Sequence, residues 1–337
     1  MKRRLTAAAI VAAVSTVVLP GVAAADPVTV DGYSFRVLDE KLVWNPDDIA
    51  GIDYRNGAYT LISDESSRVY TTDLALTDAG FGTATAATST RLLEADGTGF
   101  PQGGEAVRVD PANGSLVWAN AGRRSGGHLL DSTVQRNAAD GTFAAQYPAA
   151  PHTAASTAAQ GIRDGGGTAG LTFNPTGRLT VSATAAPLLQ DGPSTVRVSF
   201  ANAGTGAVLS QLAYELAPAP RRGTNNLAEI LAVDASHYLV LERAKDAYGR
   251  NSVRLYEATT TGANSVMPFD SVVGATYTPM QKRLLVDFAD LDLVRVSDFE
   301  GMTWGPTLTS GERTLVLVSD NGCEGRTHLA ALAVTLS

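Results

Sequence analysis

Residues 301–320 contain the pattern that decides the fold: GMTW (301–304), a polar turn, and then TLVLVSD (314–320). A short apolar strand, a turn and a second strand rich in Val and Leu are typical of a β-hairpin. Four earlier segments repeat the pattern, and their first strands begin near residues 51, 106, 170 and 229. The sequence therefore predicts a chain built from repeated hairpins.

The spacing of these hairpins indicates how they are assembled. The five units are 55, 64, 59 and 72 residues apart, and no helical pattern lies between them. Such periods favour propeller blades of about four strands each, with loop insertions where the interval is long. We expect an all-β fold, a single β-propeller of six or seven four-stranded blades, with an unmarked blade at residues 253–287. The alternative is a β-sandwich with several hairpins.

Composition narrows the class of protein further. The chain has 337 residues, a formal charge of −8 and one Cys. The single Cys excludes a disulfide framework and a cysteine-ligated metal centre, and we expect Cys323 to be a small buried structural residue. The acidic balance argues against a nucleic-acid partner, which would need a clustered basic face.

The first 25 residues have the layout of a secretory signal peptide. Three cationic residues at positions 2–4 precede an apolar stretch over 5–22, and the Ala triplet at 23–25 stands before Asp26. This order predicts export and cleavage, whereas the alternative is an N-terminal membrane anchor. We therefore predict a signal peptide over residues 1–25, one propeller domain over residues 26–337, and a secreted protein.

Acidic residues recur where the predicted hairpins would meet one mouth of the channel. In a propeller blade the first strand lines the channel, so its start and the end of the second strand lie on the same face. Oxygen ligands that converge without Cys or His suit a hard cation such as Ca²⁺. The alternative for each acid alone is a turn former or a solvated rim residue. The predicted metal ligands are Glu105, Glu229, Glu300 and Asp320.

Three cations are candidates for an anionic group of a substrate: Arg243, Lys282 and Arg283. The alternative is that they are ordinary surface cations. Several familiar catalytic patterns are missing, including the G-x-S-x-G elbow and any metal-binding spacing of the four His residues.

A family resemblance is clearest in three segments of the sequence. Residues 299–306 (FEGMTWGP) and 313–321 (RTLVLVSDN) resemble the last motif of phytase-like, esterase-like secreted bacterial proteins, and residues 226–243 (NLAEILAVDASHYLVLER) resemble a preceding one. The resemblance covers most of the chain after residue 25 and is loosest between residues 100 and 185. It implies a secreted β-propeller with esterase-like or phosphoesterase-like activity. The residues that it carries over are Glu105, Glu229, Glu300, Asp320 and Arg243.

The chain also departs from the family pattern. Acids that the resemblance implies are replaced on one side of the predicted ring, at Ala121, Ala169 and Ala183.

Two hypotheses about function follow. In the first, the protein is a monomeric, metal-assisted hydrolase of a small-molecule ester or phosphoester, with no nucleic-acid or membrane partner after cleavage. Its catalytic groups are Glu105, Glu229, Glu300 and Arg243, and Lys282 and Arg283 bind substrate. In the second, a catalytically degenerate propeller binds a ligand or a protein.

Overall fold

The computed structural model describes residues 27–336 apart from 31, 45–46, 102, 126 and 321–325. The predicted signal peptide and Cys323 lie outside the described residues. Within the described ranges, no helix has the length and apolar character needed to cross a membrane.

Apart from one short 3-10 helix (Phe288–Asp290), the regular structure of the described residues consists of β-strands. In chain order these are β1 (Val28–Val30), β2 (Tyr33–Trp44), β3 (Ile49–Arg55), β4 (Ala58–Ser63), β5 (Arg68–Thr77), β6 (Gly80–Ala84), β7 (Thr88–Arg91), β8 (Ala106–Val109), β9 (Leu116–Ala119), β10 (Arg123–Ser125), β11 (His128–Leu130), β12 (Val134–Asn137), β13 (Phe143–Gln146), β14 (Thr168–Phe173), β15 (Leu179–Thr184), β16 (Thr195–Asn202), β17 (Val208–Glu215), β18 (Thr224–Ala232), β19 (His237–Lys245), β20 (Asn251–Thr259), β21 (Gln281–Asp287), β22 (Asp298–Thr307), β23 (Arg313–Asp320) and β24 (Arg326–Leu336).

The strands form five antiparallel blades. Blade 1 contains β3, β4, β5 and β7, with β6 on the far half of β5; blade 2 contains β8, β9, β12 and β13. Blade 3 runs from β14 to β17 and blade 4 from β18 to β21. Blade 5 joins the two ends of the described chain in the order β22, β23, β24, β2 and β1. The β10–β11 hairpin stands apart as a two-stranded sheet.

The first strands of the blades touch one another in a closed ring, from β3 through β8, β14 and β18 to β22 and back to β3. The predicted all-β propeller is confirmed, and each of the five hairpins read from the sequence begins one blade. The prediction of six or seven blades is wrong. Residues 253–287 do not form a separate blade, because β20 and β21 pair beside β19 as the outer strands of blade 4.

Local sequence explains how a blade starts. The β3–β4 hairpin turns through Asn56 and Gly57, whose φ angles are 52° and 90°. Two central residues with positive φ form the type of turn that matches the twist of a hairpin, and Asn and Gly accept that conformation at little cost. The turn pairs Arg55 with Ala58 and so fixes which side chains of β3 face the channel.

The hydrophobic core is divided among the spaces between blades. One apolar cluster fills each junction, such as the cluster of Ile62, Val107 and Trp118 between blades 1 and 2. Each fully buried side chain of this size stabilises the fold by about 1.5–3 kcal/mol. Because β2 pairs with β24 from Tyr33–Leu336 to Val43–Thr327, hydrogen bonds and apolar packing close the ring.

Candidate functional site at one mouth of the channel

Four of the five inner strands carry a β-bulge near their start. In four blades the register shifts across one residue, which is Ala50, Ala169, Ala228 or Glu300. Glu105 takes the same place in blade 2, since its N–H donates to the carbonyl of Ala119, the residue that also pairs with Ala106. A bulge re-aims a side chain out of the regular pleat. Two of the five equivalent positions therefore present a carboxylate at this mouth.

Three carboxylates of blade 5 converge at the mouth. Asp298 opens β22, Glu300 is its bulge residue, and Asp320 ends β23 opposite Asp298. One oxygen of each carboxylate lies within 4.8 Å of the others. Like charges directly opposite each other on paired strands are destabilising, so this arrangement needs compensating positive charge.

Blade 4 supplies that positive charge. Arg243 Nη1 lies 3.0 Å from Asp298 Oδ2 and also pairs with Glu300. Lys245 Nζ lies 2.6 Å from the same Asp298 oxygen. Both cations project from β19, and their spacing of two residues places them on one face of the strand. The mouth is thus a mixed cluster of three acids and two bases across the junction of blades 4 and 5.

Two further acids complete the mouth on the side of blades 1 and 2. Burial, with the charges of Asp320 and Asp48 second, raises the pKa of Asp64 to about 6. Burial, followed by the charge of Asp64, raises the pKa of Glu105 to about 7, while Arg243 opposes the rise. Both groups therefore exchange protons near neutral pH.

A glycine pair brings Glu105 to this position. A Cβ placed on Gly103 would fall 1.8 Å from the carbonyl carbon of Asp64, so only glycine lets the two backbones pass. Gly104 then donates its N–H to Ser63 at 2.7 Å and joins the segment before β8 to the end of β4.

The mouth also holds carboxylate oxygens without a hydrogen-bond donor. Among the described residues, Asp298 Oδ1 and Asp64 Oδ1 are buried and have no hydrogen-bond partner. The side chain of Asp298 is only 10% exposed. Buried polar atoms are almost always satisfied, so these two oxygens are candidates to accept from a further donor or to bind a cation.

Glu229 lies elsewhere. It sits one position beyond the bulge of β18, where the equivalent residues of blades 1, 3 and 5 are Gly51, Gly170 and Gly301. A Cβ on Gly51 would lie 2.8 Å from Ala106 Cα, so the inner strands nearly touch at this level. The prediction that Glu229 joins the other acids at the mouth does not match its placement, because one step along the strand turns its side chain toward the channel axis.

On that axis Glu229 forms a fully buried ion pair with Arg108. The guanidinium Nη2 lies 2.9 Å from Glu229 Oε2, and Arg108 also donates to the carbonyls of Ile52 and Met302. Glu229 Oε1 accepts from the N–H of Leu171 at 2.8 Å. These five residues belong to five different blades, so the pair ties the whole ring together. We call this contact the axial hub.

The two remaining predicted cations lie on β21, the outermost strand of blade 4. Lys282 pairs with Glu242 and has its ammonium 4.3 Å from the ring centroid of Tyr256. Arg283 pairs with Glu257 at 2.7 Å. Their role as substrate-binding residues stays a prediction.

Sequence reasoning left Asp298 and Lys245 out of the candidate site. The signal for each was available as strand register: Asp298 faces Asp320 across the β22–β23 hairpin, and Lys245 is two residues beyond Arg243. Period-two spacing alone places the latter pair on one face.

The family model described as "Phytase-like: Esterase-like activity of phytase" matches residues 48–322. The chain belongs to this phytase-like family. No curated protein matches it.

Several solved structures are similar to the phytase-like chain at low identity. A GH43 endo-arabinanase from Bacillus licheniformis has 11% identity and a TM-score of 0.45, covering 87% of this chain and 95% of its own. A GH43 β-1,3-galactosidase has 10% identity and a TM-score of 0.47, with coverages of 86% and 90%. An α-L-arabinofuranosidase from Podospora anserina has 10% identity and a TM-score of 0.44, with coverages of 86% and 91%.

The alanines at the departures from the family pattern lie on blades 2 and 3 of the phytase-like chain. Ala169 is the bulge residue of β14, and Ala183 of β15 pairs with Gly170 beside it. Next to Ala121, Asn120 is buried and donates to Thr133. The acidic groups of the mouth are therefore concentrated on blades 1, 2 and 5.

Proposed function

We propose that the protein is a secreted hydrolase that cleaves a small ester or phosphoester at the acidic mouth of the channel. One observation carries this proposal: three carboxylates converge within 4.8 Å beside Arg243. Glu105, with a pKa near 7, lies on the neighbouring side of the same mouth. Acids whose pKa values are perturbed by burial and by neighbouring charges are candidates for a catalytic site when they are gathered together.

The chain's own residues divide the chemistry between them. Glu105 gives or accepts the proton, because a pKa close to the working pH makes both of its forms available. Arg243 binds the anionic group of the substrate and stabilises the negative charge that develops on the substrate oxygen. Asp298 and Glu300 hold Arg243 in place through their ion pairs.

The donor set also fits the Ca²⁺ expected from the sequence, with a revised set of ligands. Asp298, Glu300 and Asp320 offer oxygen atoms alone, and Asp298 Oδ1 has no donor among the described residues. Oxygen-only sites of this kind suit a hard divalent cation. When bound, such an ion would act as a Lewis acid toward the substrate oxygen.

A matched pair of variants tests this function. We expect Glu300→Gln to lose at least about 100-fold in the EDTA-sensitive hydrolysis of p-nitrophenyl phosphate or p-nitrophenyl acetate, the size of loss typical when one charge-stabilising group is removed. Glu312→Gln is the control: it removes another ion-paired acid of blade 5, located between β22 and β23 and paired with Arg36. The proposal fails if both variants keep the EDTA-sensitive hydrolysis of the wild type, or if none of the three proteins shows EDTA-sensitive hydrolysis of either ester.

The second candidate is a ligand-binding propeller without catalysis. It is favoured by the alanines at three of the five bulge positions, Ala50, Ala169 and Ala228, which leave the acids on one side of the ring. Saturable binding of a phosphate ester in calorimetry, with no product released, would favour this candidate over the hydrolase. In either case we expect a monomer with a small-molecule partner.

A further inference from the structure

Apart from the acidic cluster at the mouth, blade 5 contains a serine, a histidine and a glutamate whose side chains contact one another in series. Ser297 Oγ lies 2.7 Å from Nδ1 of His328. Nε2 of the same ring lies 2.8 Å from Glu40 Oε1. The three residues are only 7%, 3% and 5% exposed. A hydroxyl, an imidazole and a carboxylate in this sequence have the order of groups found where a serine is activated as a nucleophile.

The fold fixes each member of this series. Glu40 of β2 and His328 of β24 lie on paired strands in diagonal register, since Leu42 is opposite His328. The ring of Phe299 packs on the imidazole with 5.3 Å between centroids. Val294 donates its N–H to Glu40 Oε2 at 2.8 Å and so anchors the segment that carries Ser297.

The partners assign the protons. His328 Nε2 lies 2.8 Å from Glu40 Oε1, an oxygen for which no hydrogen bond of standard geometry is found among the described residues, and so close a carboxylate favours the ring tautomer with its hydrogen on Nε2. In that tautomer Nδ1 has a lone pair. That lone pair accepts the hydroxyl proton of Ser297. Arg295 Nε, 3.1 Å away, donates to the same Ser297 oxygen and places positive charge beside it.

We propose that Ser297 is the nucleophile of a second, metal-independent centre that acts on small carboxylic esters. Ser297 Oγ attacks the ester carbonyl while its proton moves to His328 Nδ1, and the Arg295 guanidinium stabilises the oxyanion. The alkoxide leaves with that proton, giving an acyl-serine. Water then attacks the acyl carbon, His328 takes its proton, and the carboxylic acid and free Ser297 are formed.

The surroundings define the class of ester. Ser297 is only 7% exposed, so an ester must bring its carbonyl carbon to a largely covered hydroxyl. We therefore expect small acyl groups to react in preference to large ones, with the carbonyl oxygen directed toward Arg295, whose Nε lies 3.1 Å from Ser297 Oγ. This centre goes beyond the function proposed for the acidic mouth, because it needs neither Glu300 nor a cation.

Labelling of the wild-type chain tests the proposal without any substitution. A fluorophosphonate, which phosphonylates activated serines, is expected to add once per chain, and peptide mapping is expected to place the adduct on Ser297. The labelling is expected to be unchanged in EDTA, whereas the hydrolysis proposed for the acidic mouth would be lost. The two proposals can therefore fail separately.

Variants then separate an activated serine from a merely buried one. His328→Gln is expected to slow labelling at least about 100-fold, the usual contribution of a general base. Ser199→Ala is the matched control: Ser199 is 5% exposed and hydrogen-bonded to Gln211 on blade 3. An absence of any adduct, an adduct on another serine, or labelling of His328→Gln at the wild-type rate would each overturn the proposal.

Discussion

The axial hub gives the sharpest stability prediction. Glu229→Ala removes the buried partner of Arg108, whose side chain is 3% exposed. Breaking a buried ion pair in this way costs about 3–5 kcal/mol, because a charge is left buried without its partner. The substitution also leaves the N–H groups of Leu171 and Ile230 without their acceptor, at about 1 kcal/mol or more each. We therefore expect Glu229→Ala to lower the free energy of unfolding by about 5 kcal/mol.

Glu229→Gln separates the two contributions. The amide keeps the volume and the Oε1 acceptor but removes the charge, so the N–H groups of Leu171 and Ile230 stay paired. We expect a loss of about 3 kcal/mol, the lower end of the range for a broken buried pair. Asp53, whose carboxylate lies 3.9 Å from Arg108, limits the loss by compensating part of the charge left unpaired on the Arg108 guanidinium.

The measurement is equilibrium unfolding in guanidinium chloride, read as the change in midpoint at constant slope. Glu312→Ala is the control, because its pair with Arg36 is 25–28% exposed and such pairs contribute about 0–1 kcal/mol. The reasoning about the hub is refuted if Glu229→Ala costs no more than Glu312→Ala. If the expected loss of about 5 kcal/mol is found, Glu229→Ala will have lost a third or more of the roughly 5–15 kcal/mol that typically stabilises a domain.

Three other changes test the mouth of the channel. The pKa values of Glu105 and Asp64, about 7 and about 6, lie above the ordinary 4.5 and 3.8, so the folded chain keeps protons that the unfolded chain has released. The free energy of unfolding should therefore fall as the pH rises from about 4 to 7. Thermal melts should show a weaker fall in Glu105→Gln than in the wild type. An equal or steeper fall in the variant would contradict this prediction. Gly103→Ala should destabilise the fold strongly, since its Cβ would meet Asp64, whereas Gly204→Ala, whose Cβ contacts lie at 3.4 Å, should change the unfolding midpoint little. Arg243→Met should move the acid limb of the pH–rate profile upward, because Arg243 lowers the pKa of Glu105, and an unshifted limb would exclude that electrostatic link.

The blades were predictable because their signal is local. A turn such as Asn56–Gly57 and the apolar runs beside it determine a hairpin without reference to the rest of the chain. The number of blades could not be predicted in this way, because it depends on which strands pair with one another. Residues 253–287 have the apolar character of blade strands, but their pairing with β19 depends on register across the 21 residues between β20 and β21, which carry no hairpin signal.

The candidate site was predictable to the extent that it follows strand ends. Glu105, Glu300, Asp320 and Arg243 come together as the hairpin geometry predicts. Glu229 was misplaced because the sequence does not show a bulge, and a shift of one residue sends a strand side chain in another direction. The Ser297, His328 and Glu40 series was invisible for a different reason, since its members are separated by up to 288 positions and meet only when β2 closes the ring.

The axial hub also determines how the mouth can work. Arg108 and Glu229 pair on the axis of the ring, where the inner strands nearly touch. The charge of Glu229 is thereby kept out of the mouth, where Arg243 pairs with Asp298 and Glu300, and Lys245 also pairs with Asp298. Removing Glu229 should therefore affect folding before it affects ligand binding, whereas removing Glu300 should do the reverse. This opposite order of effects follows from a displacement of one residue along the inner strand.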